Sequence, residues 1–117
     1  MNILIIEDEK TLCELLEMVL REQGHNVFLA YDGENAMDCI LLNEYDVIVA
    51  DMTLPDASGV NIIEWAQKRN PDKHYILMSG YEITEKQKKQ INNVSCQFIS
   101  KPFHLKEMSL LINNLGK

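Results

Sequence analysis

The stretch YDVIVADMTLPDASGV, residues 45–60, decides how this chain is read. Val47–Ala50 is a short apolar run rich in β-branched residues, the habit of a strand buried on both faces of a parallel sheet. It ends on a bare carboxylate, Asp51, with Pro55 and Gly59 close behind. An acid at a strand end is often a helix cap. The alternative is a carboxylate held rigidly at the rim of a sheet for chemistry. Asp51 alone does not choose between the two, and the rest of the chain must.

Four further apolar runs flank this one: Ile3–Ile6, Val27–Ala30, Tyr75–Met78 and Phe98–Ile99. Helical periodicity fills the gaps between them. Leu12, Leu15, Leu16, Val19 and Leu20 form a first stripe. Thr11 with Glu14 suggests a capping box near its start, and Gly24 a stop behind it. Ala36, Met37, Ile40 and Leu41 form a second stripe, and Val60, Ile62, Ile63 and Ala66 a third. Leu105, Met108, Leu111, Ile112 and Leu115 make the last. The segment TEKQKKQINN, residues 84–93, is polar and basic, with Ile91 nearly alone as an anchor. Thr84 and Gln87 offer it a capping box, so the pattern predicts a weakly held helix. Five strands alternating with five helices imply an α/β fold. It is a doubly wound five-stranded parallel sheet with helices on both faces, joined by right-handed crossovers.

Composition narrows the function classes. The chain has 117 residues and reads as one domain, 1–117. With 46% apolar and 25% charged residues it can bury a core and is not of the disordered class. No apolar run approaches a membrane span, and MNILIIEDE has no basic segment before its apolar run, so it is not a signal peptide. A net charge of −7 argues against direct nucleic-acid binding. Cys13, Cys39 and Cys96 lack paired spacing and read as reduced core thiols of a cytoplasmic protein. His25, His74 and His104 fall near element edges and read as boundary residues. The six methionines mostly follow the core phase, and the phase of Trp65 is ambiguous.

In sheets of this kind ligands gather beyond the carboxyl ends of the strands. Glu7 and Asp8 follow the first strand, Asp51 the third, Ser79 and Gly80 the fourth, and Lys101 and Pro102 the fifth. The second contributes only Tyr31 and Asp32. Each has an ordinary explanation alone: a cap, a solvated turn, an exposed lysine, a proline at the start of a helix. Together they put three carboxylates, a hydroxyl and an ammonium on one rim. Carboxylates so close oppose one another's ionisation, and a hard divalent cation such as Mg2+ relieves the conflict. Asp8 and Asp51 then read as metal ligands with Glu7 beside them, while Lys101 and Ser79 suit phosphoryl oxygens. The set fits phosphoryl transfer with Asp51 as nucleophile.

These residues resemble the receiver domain of bacterial two-component response regulators. The likeness rests on ILIIEDE, DVIVADMTLPDASG, ILMSGY and FISKPF, and it spans the whole chain. It implies a flavodoxin-like strand order 2-1-3-4-5 and a phosphorelay role as a phosphoprotein in signal transduction. A histidine kinase or histidine phosphotransfer protein would be the donor. A downstream protein target, or an output domain of the same protein, would read the result, and a homodimer is compatible. The resemblance adds the backbone carbonyl of Thr53 to the metal ligands Glu7, Asp8 and Asp51. It gives Ser79 and Lys101 to the phosphoryl group, makes Phe98 the switch aromatic and makes the bond before Pro102 cis. It also sets Thr53 and Tyr81 near the acyl phosphate, where Tyr81 would restrict the attacking water. Three positions depart from the family habit. Glu7 stands where Asp is common, Val94-Ser95 replaces a Gly-Ala pair, and Phe98 stands where the switch aromatic is often a Tyr able to hydrogen-bond.

Three other readings compete. An aspartyl-nucleophile phosphatase needs a second Asp two residues after the first, and that position is Thr53. A flavin module needs a phosphate-binding loop where the chain has Glu7-Asp8-Glu9. A receiver-like interaction domain indifferent to phosphorylation would not need Asp51, Ser79 and Lys101 together. Domains of the receiver kind are not enzymes on external substrates; they catalyse only their own phosphorylation and dephosphorylation.

Overall fold

The computed structural model describes residues 1–80 and 83–115. Five strands, β1 (Asn2–Ile6), β2 (Asn26–Ala30), β3 (Val47–Asp51), β4 (His74–Ser79) and β5 (Gln97–Ser100), alternate with five helices. These are α1 (Lys10–Glu22), α2 (Gly33–Leu42), α3 (Gly59–Arg69), α4 (Glu85–Asn92) and α5 (Leu105–Asn113). All strand pairs are parallel, in the order β2-β1-β3-β4-β5, as expected. The order reverses beside β1, so the carboxyl ends of β1 and β3 lie next to each other at the switch point where such sheets bind ligands.

Strand alternation sorts the core into two layers. Leu4, Ile6, Ile48, Ala50 and Leu77 face α2 and α3, packing on Ala36, Ile40, Val60 and Ile63. Ile3, Ile5, Val47, Val49 and Met78 face α1 and α5, packing on Leu16, Leu20, Met108 and Ile112. Each large side chain so buried contributes about 1.5–3 kcal/mol. Asp51 continues the phase of Val47 and Val49, and Glu7 continues that of Ile3 and Ile5. Both acids therefore emerge on the same side of the sheet.

The helices depart from the sequence pattern in places. Helix α1 starts at Lys10 behind Glu9, which makes no side-chain cap, so the expected Thr11–Glu14 box is not used. Cys13 takes the inner position and Leu15 is exposed: the buried face runs through Cys13, Leu16 and Leu20, an i, i+3, i+7 set. Gly24 does follow the helix, with φ of 90°, a conformation that side chains resist. On α2 only Gly33, Ala36 and Ile40 are buried, and Met37 and Leu41 face out. Helix α4 forms with the predicted box: Gln87 N–H donates to Thr84 Oγ1 at 3.1 Å, and Thr84 N–H to Gln87 Oε1 at 2.9 Å. It buries no residue fully, and half-buried Ile91 is its anchor on the core.

Among the methionines, Met52, Met78 and Met108 are buried while Met1, Met18 and Met37 are exposed. The expected core habit thus holds for half of them. Cys13 is buried, and Cys39 and Cys96 are half-buried; all three are free thiols. Trp65 packs half-buried against the core with the Arg69 guanidinium 5.3 Å from its ring centre. His25 and His74 are half-buried and His104 is exposed. The Val94–Ser95 turn is held from α3. The Gln67 amide donates to the Ser95 carbonyl at 2.7 Å and accepts from its N–H at 2.9 Å. No helix among the described residues is long and apolar enough to cross a membrane.

Candidate functional site

The residues singled out in the sequence converge on the carboxyl rim of the sheet. Carboxylate oxygens of Glu7, Asp8 and Asp51 all lie within 4.8 Å of one another. Glu7 is 1% exposed and Asp51 8%, whereas Asp8 faces solvent. The Lys101 ammonium reaches in from the end of β5. It donates to Glu7 Oε1 at 2.6 Å and to Asp51 Oδ2 at 3.0 Å. Its backbone N–H donates to the Ser79 carbonyl at 2.6 Å, which ties the end of β5 to that of β4. The Lys101–Pro102 bond is cis.

Ser79 is buried at the same rim, but its hydroxyl donates to the Gly80 carbonyl at 3.2 Å. Thr53 is exposed, and its backbone N–H donates to Asp51 Oδ1 at 3.2 Å. Phe98 lies on the edge strand β5, paired with Leu77 of β4. It is exposed and lines an open hollow with Ile83, Lys88, Ile91 and Asn92. Tyr81 lies outside the described residues.

The site is short of positive charge. Burial, with the Asp51 carboxylate beside it, pushes the Glu7 carboxyl up from 4.5 to about 8, against the pull of Lys101. Burial disfavours the Lys101 ammonium, but Glu7 and Asp51 outweigh it and hold its pKa above the ordinary value. Glu7 Oε2 is buried with no hydrogen-bond partner among the described residues. Such an orphan is rare and expensive unless a ligand or ion uses it. The donor set is all oxygen, which suits a hard cation of the Mg2+ kind.

A stability consequence follows with a definite sign. The Glu7 pKa is raised on folding, so the fold holds its proton more tightly than the unfolded chain does. The Glu7 contribution to stability is therefore undiminished below pH 4.5, falls as pH rises towards about 8, and stays reduced above it. We expect Glu7→Gln to remove this loss and stabilise the metal-free protein by about 1–3 kcal/mol at pH 8, with the difference vanishing near pH 4. Urea unfolding at the two pH values checks it; equal midpoints at pH 8 would contradict the assignment.

Gly59 and Asp56 belong to this region, and their roles were not legible in the sequence. A Cβ on Gly59 would stand 1.9 Å from the Asp51 carbonyl oxygen. Asp56 accepts from the N–H groups of Gly33 at 2.7 Å and Glu34 at 3.0 Å, at the start of α2. A Pro-Asp turn signals only a loop; its partner more than twenty residues away leaves no local trace.

Comparison with known proteins points one way. A family model described as response regulator receiver domain matches residues 3–113. The probable transcriptional regulatory protein TcrX of Mycobacterium tuberculosis is 29% identical over 114 residues, covering 97% of this chain and 49% of TcrX. The chain spans about half the length of the curated relatives it matches. The receiver domain of the Francisella response regulator 1452 superposes with a TM-score of 0.84 at 28% identity, over 96% of this chain and 93% of that one. The response regulator TrrA of Thermotoga maritima, solved in complex with Mg2+-BeF, superposes with a TM-score of 0.85 at 25% identity, over 97% of each chain.

Proposed function

We propose that this chain, which belongs to the response regulator receiver domain family, takes a phosphoryl group onto Asp51 from a phosphohistidine. The donor is a histidine kinase or a histidine phosphotransfer protein. The observation that carries the reading is the Lys101 ammonium shared between buried Glu7 and Asp51, with Asp8 beside them. An Asp51 carboxylate oxygen attacks phosphorus. The phosphorus–nitrogen bond breaks, its electron pair returns to the donor imidazole, and an acyl phosphate remains.

The all-oxygen site and the orphaned Glu7 Oε2 fit Mg2+, the ion named in the TrrA complex. Asp8, Asp51 and the Thr53 carbonyl would hold it, with Glu7 assisting, and it would spread the charge on the phosphoryl oxygens. Lys101 supplies the second cation. The Ser79 hydroxyl turns from the Gly80 carbonyl to donate to a phosphoryl oxygen. Thr53 stands where a phosphatase would need an acid, so the chain acts on its own acyl phosphate and on no external substrate.

The acyl phosphate then changes a partner-binding face. Hydrogen bonds to charged groups contribute roughly 1.5–3 kcal/mol each. Two of them, from Ser79 and Lys101, approach the roughly 5.5 kcal/mol that reverses a 1:99 equilibrium. The resting domain is therefore close to balance. Helix α4, without a fully buried residue, and exposed Phe98 are the parts that move. The reader of that face is a downstream protein or an output domain, and residues 1–117 act as one cytoplasmic receiver unit. The alternative, a receiver-like interaction domain that takes no phosphate, leaves the Glu7–Lys101–Asp51 arrangement without a use. Incubation with acetyl phosphate and Mg2+ should add the mass of one phosphoryl group in a hydroxylamine-labile linkage. No adduct under saturating donor would refute the reading.

A further inference from the structure

We propose that Asp56 is a positioning residue for the phosphoryl site: its carboxylate clamps the tip of the loop after β3 to the first turn of α2, and the clamp keeps Thr53 in place. The inference rests on the function proposed above, since it concerns the metal ligand that Thr53 would supply.

The loop after β3 is a miniature hairpin. Gly59 N–H donates to the Met52 carbonyl at 2.9 Å, Thr53 bridges Ser58, and Leu54 N–H donates to the Ala57 carbonyl at 3.0 Å. Pro55 and Asp56 form its tip, and Thr53 sits one rung below, bonded to Asp51 Oδ1. A displacement at the tip is carried to Thr53 through these rungs.

The tip is held from outside. Asp56 Oδ1 accepts from Gly33 N–H and Oδ2 from Glu34 N–H. Those amides, Gly33's before Glu34's, keep the Asp56 carboxyl below its ordinary range, so the clamp is charged at neutral pH. Helix α2 has a cap of its own in Asp32, which accepts from Asn35 N–H at 2.8 Å, and Asp56 takes two further N–H groups of the first turn from outside the helix. Gly33 makes the approach possible. A Cβ there would stand 2.7 Å from the Ala57 Cβ and 3.0 Å from Asp56 Oδ1. Two opened-out features, an acid at a loop tip and a helix start without a side chain, are therefore fitted to each other across the rim of the sheet.

The test compares wild type, Asp56→Ala, Asp56→Asn and Gly33→Ala as full chains. The probe is Mg2+ alone, titrated calorimetrically, with amide hydrogen exchange followed without metal. Asp56→Ala should weaken Mg2+ binding by about tenfold, the low end for groups that orient metal ligands. It should speed exchange at Leu54 and Gly59 while Val49 in the sheet stays protected. Asp56→Asn keeps an oxygen for Gly33 N–H and should recover most of the affinity. Gly33→Ala, which opens the clamp from the other side, should weaken binding in the same direction. Wild-type Mg2+ affinity in Asp56→Ala would overturn the inference. So would an affinity loss matched by lost protection throughout the sheet, the mark of a merely structural role. A wild type that binds no Mg2+ would sink the proposed function and this inference with it; failure in the variants alone would sink only the inference.

Discussion

Asp51→Asn is expected to abolish the acyl phosphate while leaving the fold intact. The carboxamide has the size and shape of the carboxylate but no nucleophilic oxygen anion, so phosphorus–oxygen bond formation stops. Asp8 does not substitute for it. Asp8 is exposed, whereas Asp51 is buried at the end of a fully buried strand and faces the Lys101 ammonium at 3.0 Å. The same substitution removes one of the negative charges crowding Glu7. Since the Asp51 carboxylate contributes to the raised Glu7 pKa, the variant should be at least as stable as wild type at neutral pH. Intact mass after acetyl phosphate treatment reads the first effect, and thermal unfolding the second. A hydroxylamine-labile adduct persisting in Asp51→Asn would place the acceptor elsewhere.

Gly59→Ala is expected to damage both stability and phosphoryl transfer, although Gly59 touches no substrate. The added Cβ would lie 1.9 Å from the Asp51 carbonyl oxygen, 2.6 Å from its carbonyl carbon and 3.2 Å from Met52 Cα. All three are backbone atoms that cannot swing aside. Either α3 backs away from the sheet or the peptide carrying Asp51 shifts. We expect a loss at or above the upper end of the roughly 1–3 kcal/mol seen for overpacked cores. Transfer should slow by about 100-fold, the effect of misplacing a reacting group by 1 Å. Gly80→Ala is the control, because a Cβ there meets nothing within 4 Å among the described residues. Urea unfolding and the time course of adduct formation measure the two effects. Wild-type values for both in Gly59→Ala would show that the close approach is not needed.

Gly59 also illustrates how far the sequence carries. Its place after Pro55 suggests a turn residue chosen for backbone freedom, yet it is the first residue of α3 and has no positive φ. It is glycine because the helix start presses on the backbone of the residue that bears the proposed nucleophile. Glu7 is a similar case. Its position after β1 was readable, but its burial and its bond to Lys101, 94 residues away, were not.

What the sequence determined alone is whatever local periodicity encodes. The five strands and five helices, the α4 capping box and the gathering of Glu7, Asp8, Asp51, Ser79 and Lys101 on one rim all follow from the spacing of apolar and polar residues. That spacing repeats with the period of the backbone itself. Tertiary structure decided which face of α1 turns inward, why Gly33 and Gly59 lack side chains, and that Asp56 reaches α2. It also decided that one lysine answers two buried acids. These depend on distances between residues remote in the chain, which no local pattern records. They are set only when close packing of the two core layers leaves each backbone and side chain a single place to be.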